Sequence, residues 1–126
     1  HLTGPRAGLA EKLTPALPGF PDNISTGTDG RIWVAIASPR NGLLDRLAPL
    51  PAALRSAVWA LPDTLQPKPV NLTCAVVVDP GTDRIVAAYA TRHREFGVST
   101  GVREHHGTVW LGSLSASTVA SFTVRR

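Results

Sequence analysis

The chain has 126 residues, enough for one domain with a hydrophobic core, and 43% of them are hydrophobic. This composition excludes a disordered chain, and no apolar run approaches the length of a membrane-spanning helix. The net charge of +4 comes from scattered arginines and not from one basic patch, which argues against nucleic-acid binding. The single cysteine, Cys74, excludes an intrachain disulfide and a cysteine-based zinc site, and its apolar surroundings predict a small core residue.

The first part of the chain consists of short pieces separated by glycine and proline. Residues 9–13 are predicted to form one outer strand, and residues 14–21, which contain three prolines, a connection. The chain begins at residues 1–4 (HLTG) without a methionine, which indicates the middle of a longer protein. Its start therefore predicts nothing about the compartment of that protein.

Residues 20–35 (FPDNISTGTDGRIWVA) are typical of a strand, a turn and a second strand. Asp29-Gly30 between two β-prone runs is a strong hairpin signal, because glycine adopts a positive φ without steric cost. Asp22 and Asn23 are predicted to lie at the entrance to the first strand. Their carboxylate and amide oxygens suit a hard cation such as calcium. The alternative is a turn after Pro21 in which these side chains bind their own backbone.

A proline-rich insert follows over residues 38–69. Within it, residues 50–61 are predicted to form one helix, because six apolar residues from Leu50 to Leu61 fall on one stripe. A lid over a pocket or a helix on a membrane surface is one interpretation. A surface helix packed on its own sheet is favoured, since Arg55 is the one charge on its polar face, too few for a membrane-surface helix.

Two further hairpins are predicted after the insert. Residues 71–79 and 83–91 form the first, with a turn fixed by Pro80-Gly81. Residues 108–114 and 118–124 form the second.

Glu104, His105 and His106 precede the turn into the last hairpin. Adjacent residues of a strand point to opposite faces, so these three side chains cannot converge on one ligand. They are predicted to form a polar hairpin mouth and not a metal or acid–base site.

Half of the first hairpin recurs later in the chain. Residues 30–35 (GRIWVA) and 107–112 (GTVWLG) share the pattern Gly-x-(β-branched)-Trp-(aliphatic)-(small), 77 positions apart. A propeller blade has about 40–50 residues, and leaving out the 32 residues of the insert reduces the offset to 45. The repeat therefore predicts neighbouring propeller blades, the first with a large insert. Two similar hairpins of a β-sandwich are the alternative.

Three segments together resemble one known family: residues 17–24 (LPGFPDNI), residues 30–34 (Gly-x-x-Trp-Val) and residues 104–113 (Glu-His-x-Gly-x-x-x-Leu-Gly-Ser). They are similar to the carboxy-terminal part of strictosidine synthase-like proteins, above all to the adipocyte plasma membrane-associated protein type. Gluconolactonases, senescence marker proteins and paraoxonases are related to this family. The resemblance implies an all-β fold that is part of a six-bladed β-propeller.

The resemblance also implies a calcium ion at the centre of the propeller. It assigns Asp22 and Asn23 as two of the calcium ligands, and since calcium takes six to eight oxygens the remaining ligands lie outside this chain. The catalytic glutamate of strictosidine synthase would stand four residues before Glu104, where this chain has Thr100. A threonine cannot replace a carboxylate in proton transfer, so strictosidine synthase activity is not expected.

The resemblance divides the chain into parts of three blades. Residues 1–17 would end one blade, residues 18–98 would form a blade with the insert 38–69, and residues 99–126 would form the last, incomplete blade. A six-bladed ring needs more than twice this length. We therefore expect either missing amino-terminal blades or a trimer in which three copies close the ring.

The function implied for the complete protein is calcium-dependent hydrolysis of a small ester or lactone. The sequence does not identify the nucleophile or general base. The alternative is a non-catalytic propeller that serves as an interaction scaffold. Turnover that is sensitive to a calcium chelator would separate the two.

Overall fold

The computed structural model describes residues 1–12, 14, 16–62, 64 and 70–124. Within them the chain forms two antiparallel sheets and two short helices. The first sheet contains β1 (Gly19–Thr26), β2 (Ile32–Pro39), β3 (Thr73–Asp79) and β4 (Arg84–Thr91), the second β5 (Ser99–His105), β6 (Thr108–Ser113) and β7 (Ala120–Thr123), and the helices are α1 (Gly42–Leu47) and α2 (Ala52–Trp59). The predicted all-β fold is confirmed, and the two sheets are consistent with a partial propeller.

The first sheet is a four-stranded meander whose central strands are buried on both faces. Along β2, Trp33 and Ala35 face the second sheet, whereas Val34 and Ile36 face the opposite side. Every residue of β3 from 73 to 78 is buried. This explains why β3 is an almost continuous apolar run without the alternation of a half-exposed strand.

Cys74 lies in this buried strand, as predicted from its apolar surroundings. Its backbone N–H donates to the buried Ser99 Oγ at 3.2 Å, which ties β3 to the start of the second sheet. Burial raises the pKa of the Cys74 thiol. A buried thiol with a raised pKa behaves as a small core residue.

The second sheet packs on the first through an apolar core. Val102, Val109 and Leu111 point toward the first sheet, where they join the same buried cluster as Trp33 and Val77. Full burial of each such side chain stabilises the fold by about 1.5–3 kcal/mol. The two sheets are therefore held together mainly by the faces that they turn to each other.

The two tryptophans of the repeated motif differ in their surroundings. Trp33 is 4% exposed and stacks on Tyr89 with ring centroids 5.7 Å apart. Trp110 pairs with Arg103 on the face of the second sheet that points away from the first, and it is 49% exposed. The same local sequence thus yields a buried and a half-exposed tryptophan, because only the first has a sheet against its face.

The amino-terminal strand predicted over residues 9–13 is wrong for the described residues. Residues 1–12 form turns and irregular backbone, with Gly8 N–H donating to His1 O at 2.8 Å, and residue 13 lies outside the described part of the chain. The short apolar pieces fold back on themselves because glycine interrupts each of them. A strand ladder would need a longer uninterrupted run.

The described residues of the insert form two helices where one was predicted. α2 lies inside the predicted range 50–61 and begins after Pro51, whose carbonyl accepts from Leu54 N–H at 3.0 Å. The sequence favoured a helix whose apolar stripe packs on the sheet. Leu54 of that stripe is 54% exposed, so this part of the helix does not pack as predicted. α1 was not predicted because its six residues are too few to show a repeated apolar pattern of helical period. Among the described helices, none has the length and hydropathy to cross a membrane.

The turns that close the equivalent hairpins of the two sheets each contain a glycine with a positive φ. Gly30 has φ of +79° and Gly107 has φ of +82°. A side chain in this left-handed region costs about 1–2 kcal/mol, which explains why both copies of the motif begin with glycine.

Gly30→Ala is therefore expected to lower the free energy of unfolding by about 1–2 kcal/mol, because alanine is strained at a positive φ. Gly42→Ala is the matched control: it lies at the start of α1 with open space around it, and alanine there is expected to be neutral or stabilising. Urea unfolding measures both. Equal effects of the two substitutions on the free energy of unfolding would contradict the role assigned to the positive φ of Gly30.

Candidate functional site

The first strands of the two sheets, β1 and β5, lie side by side and are joined by polar contacts. Asn23 Nδ2 donates to Thr100 O at 2.8 Å, and Ser25 Oγ donates to Val102 O at 2.7 Å. Both contacts join residues 77 positions apart, which is the offset of the repeated Gly-x-x-Trp motif. β1 pairs with β2 as β5 pairs with β6, the two strands that carry the repeated tryptophan motif, so β1 and β5 are equivalent strands of two successive repeats.

Asp22 and Asn23 lie in an irregular part of β1. Pro21 pairs with Ile36 and Ile24 pairs with Val34, so two residues of β1 oppose a single residue of β2. Such a bulge bends the strand and redirects side chains, and bulges are common next to active sites. The sequence had predicted these two residues at the entrance to the strand. The structure places them inside it.

The bulge leaves two oxygen groups of β1 accessible beside β5. Asp22 and Asn23 are both exposed, and Asn23 uses its amide nitrogen to bind Thr100 O. This contact fixes which end of the amide is the nitrogen and leaves Oδ1 as a potential ligand. A carboxylate and an amide oxygen are ligands that calcium prefers, but two residues supply only part of its coordination sphere.

The described residues contain no cluster of three or more histidine, cysteine, aspartate or glutamate side chains that could hold a metal. The donor set at the bulge is therefore a partial one. Asp22 and Asn23 supply two side-chain oxygen donors, fewer than the six to eight oxygens that calcium takes.

Thr100 is brought next to this candidate site. It lies on β5, half-buried, with its carbonyl bound by Asn23. Pro21 opposes Ile36, and Ser99 opposes Ser113, which stands 77 positions after Ile36, so the equivalent of Thr100 in the first repeat is Asp22. The position at which the family resemblance expects a catalytic glutamate is thus on the inner strand pair, and in this chain it carries a neutral hydroxyl.

Glu104 has a role that the sequence did not reveal. It is only 3% exposed, and its carboxylate accepts from Thr28 N–H at 2.6 Å and from Gly107 N–H at 2.7 Å. Thr28 belongs to the turn of the first hairpin and Gly107 to the turn of the equivalent hairpin in the second sheet. One buried carboxylate therefore joins the corresponding ends of the two repeats.

The Glu104 carboxylate lies so close to position 27, directly after the end of β1, that this position requires glycine. A methyl group on Gly27 would lie 2.8 Å from Glu104 Oε2 and 2.8 Å from the indole nitrogen of Trp33. The sequence contained a signal for this burial. Glu104 follows Val102 by two residues on β5, so both side chains point to the same, inward face of the strand. A charged residue in a buried phase indicates a specific partner.

His105 and His106 do not join Glu104 at this position. Both are exposed, and their rings contact each other at a centroid distance of 4.2 Å. His106 N–H donates to Thr28 Oγ1 at 2.9 Å, so the backbone of this residue also helps to join the two turns. The predicted polar hairpin mouth thus describes the two histidines, whereas Glu104 is a buried contact between sheets.

Comparison with curated proteins finds two similar sequences, both from Arabidopsis thaliana. Strictosidine synthase-like protein 3 is 30% identical over 132 residues, 96% of this chain and 32% of that protein. Strictosidine synthase-like protein 10 is 41% identical over 61 residues, 48% of this chain and 16% of that protein. The chain thus spans about a third of the length of the relative that it matches almost throughout. No family profile and no solved structure matches the chain.

Glu104→Gln is expected to destabilise the protein by about 1–3 kcal/mol, because it removes the charge from a buried acceptor of two backbone hydrogen bonds. Glu95→Gln is the matched control, since Glu95 is exposed in the loop before β5. Urea unfolding of both variants measures the difference. A free energy of unfolding that is the same for the two variants would contradict the role assigned to Glu104.

Proposed function

From the premise that this chain is a strictosidine synthase-like sequence, we propose that it is part of a calcium-dependent hydrolase of esters or lactones. Asp22 and Asn23 would form part of the calcium cage. The observation that carries the proposal is the bulge of β1, which leaves a carboxylate and an amide oxygen accessible beside the equivalent strand β5. The remaining ligands would come from residues outside this chain.

The chemistry of the two side chains fits a calcium ion. Bound calcium would polarise the carbonyl of an ester or lactone and stabilise the negative charge that develops on its oxygen. Asp22 would supply negative charge to the cage. Asn23 would supply a neutral oxygen whose orientation is fixed by the contact of its Nδ2 with Thr100 O.

The proposal does not include a strictosidine synthase reaction, and the reason is Thr100. Its hydroxyl has no proton-transfer capacity near neutral pH comparable to that of a carboxylate, so it cannot serve as the general acid or base. The proposal places the nucleophile or general base outside residues 1–126. The hydrolase would then depend on the complete propeller.

A second candidate function is a non-catalytic scaffold for protein interactions. Thr100 at the position of the expected glutamate, together with a partial donor set at the bulge, favours this alternative. Fold and family by themselves do not decide between catalysis and binding.

Asp22→Asn in the complete protein is expected to weaken calcium binding at least tenfold, because it removes the negative charge from the cage. Asp83→Asn is the matched control: Asp83 is an exposed acid in the turn between β3 and β4, and asparagine tolerates its φ of +55°. Calorimetric titration with calcium measures binding, and a panel of aryl esters and lactones with and without chelator measures turnover. Calcium binding that is unaffected by Asp22→Asn would overturn the metal assignment, and absent turnover with intact calcium binding would support the scaffold.

We also propose that further blades complete a ring around the inner strands. They would come either from the rest of a longer polypeptide or from two more copies of this chain. Light scattering on a sizing column separates these sources. A mass of three times 13.3 kDa supports the trimer, whereas a mass of 13.3 kDa supports the longer polypeptide.

A further inference from the structure

The insert carries an asparagine–glycine pair, Asn41-Gly42, shortly after the end of β2. The chain has two other asparagines, and they precede the bulky residues Ile24 and Leu72. A glycine has no side chain that could shield its own backbone nitrogen from the asparagine before it. The nitrogen of Gly42 is therefore less shielded than the nitrogen that follows either of the other asparagines.

The structure keeps this pair accessible. Gly42 is exposed, and a methyl group added to it would meet no atom within 4 Å. Gly42 begins α1, a helix of six residues, in which the neighbouring Leu43 is 54% exposed. A short and exposed helix opens at little energetic cost. The backbone around Gly42 can therefore reach conformations that a packed element would forbid.

The side chain of Asn41 is folded over the peptide group of Gly42. Its Oδ1 accepts from Leu43 N–H at 2.9 Å, and its backbone oxygen accepts from Asp45 N–H at 2.9 Å. Asn41 is thus the N-cap of α1. The contact with Leu43 N–H closes a ring around Gly42, so the side-chain carbonyl is bent back toward the backbone nitrogen of that glycine.

The other two asparagines are held in a different way. Asn23 Nδ2 donates to Thr100 O at 2.8 Å, and Asn71 Nδ2 donates to His93 O at 3.3 Å. Each of these amide nitrogens is bound to a part of the chain that is distant in sequence. This contact opposes rotation of the amide toward its own following nitrogen. Position 41 therefore differs from the other two both in its sequence neighbour and in its contacts.

We propose that Asn41 is a site of spontaneous deamidation in the folded protein. The backbone nitrogen of Gly42 attacks Cγ of Asn41 and forms the new C–N bond of a succinimide ring. The bond from Cγ to Nδ2 breaks, and the side-chain nitrogen leaves as ammonia with the proton that the backbone nitrogen gives up. Water then opens the ring at either of its carbonyl carbons. The products are aspartate and isoaspartate, and each has a carboxylate where asparagine has a neutral amide.

The two products act differently on α1. Aspartate caps a helix about as well as asparagine, so the contact with Leu43 N–H is kept. In isoaspartate the main chain runs through Cγ and is longer by one carbon atom, so the cap is lost. Deamidation therefore converts the start of the insert into a mixture of capped and uncapped forms.

The rate at position 41 tests the proposal. The folded 126-residue chain is incubated at mildly alkaline pH and digested with trypsin, and peptide 41–46 is followed by liquid chromatography and mass spectrometry. We expect this peptide to gain the mass difference between asparagine and aspartate, in two forms that separate on the column. Peptides that contain Asn23 or Asn71 should change at least tenfold more slowly, because a bulky residue follows each of these asparagines.

Gly42→Ala tests the role of the glycine. Its methyl group shields the attacking nitrogen and fits the open space, so deamidation should slow at least tenfold while the chain remains folded. Leu43→Ala is the matched control, since it changes an exposed residue of the same helix and keeps the pair, and its rate should be unchanged. Circular dichroism verifies the fold of both variants. In the incubated chain, the isoaspartate form should show faster hydrogen exchange at Leu43 N–H, whereas Asn41→Asp should exchange like the unchanged chain.

Three results would overturn the proposal. The first is a constant mass of peptide 41–46 in the folded chain under conditions that modify a synthetic peptide of residues 40–46, because the fold would then protect the pair. The second is an equal rate in the unchanged chain and in Gly42→Ala. The third is an equal rate at Asn41 and Asn71, because the neighbouring glycine would then confer no selectivity.

Discussion

The docking of one repeat on the other is the constraint on which the rest of the structure depends. An isolated sheet of three or four short strands buries little apolar surface, and each sheet here becomes stable by covering a face of the other. The shared core around Trp33 and Val109 supplies the apolar contacts. The buried carboxylate of Glu104 fixes the alignment, since it binds backbone N–H groups of both hairpin turns at once. A sliding of one sheet along the other would break the hydrogen bond from Thr28 N–H to that buried carboxylate, which carries an energetic cost.

The two repeats share an offset but not their side chains, and the differences produce the individual features of the protein. Glu104 stands 77 positions after Gly27, so a carboxylate in one repeat fits against a residue without a side chain in the other. Asn23 and Thr100 are related in the same way, and they form a hydrogen bond. The repeats are thus complementary at their inner strands.

The same docking separates the accessible groups by chemistry. At the inner strands, polar groups are accessible: the bulge of β1 exposes Asp22 and Asn23, which suit a hard cation. At the outer strands, the groove between β4 and β7 is lined by uncharged residues.

The sequence by itself determined the local structure, because strand and turn signals are local. Asp29-Gly30 and Pro80-Gly81 marked two of the turns, the apolar run of β3 marked a buried strand, and the Gly-x-x-Trp repeat gave the offset of 77 that the contacts between β1 and β5 share. Only the tertiary structure decided the rest. The contact of Glu104 with Thr28, the exposure of Trp110 and the bulge at Asp22 depend on which strand or sheet lies opposite each residue. The apolar stripe of α2 is a further example. Its period predicts a helix, but it does not predict whether a neighbouring element covers Leu54.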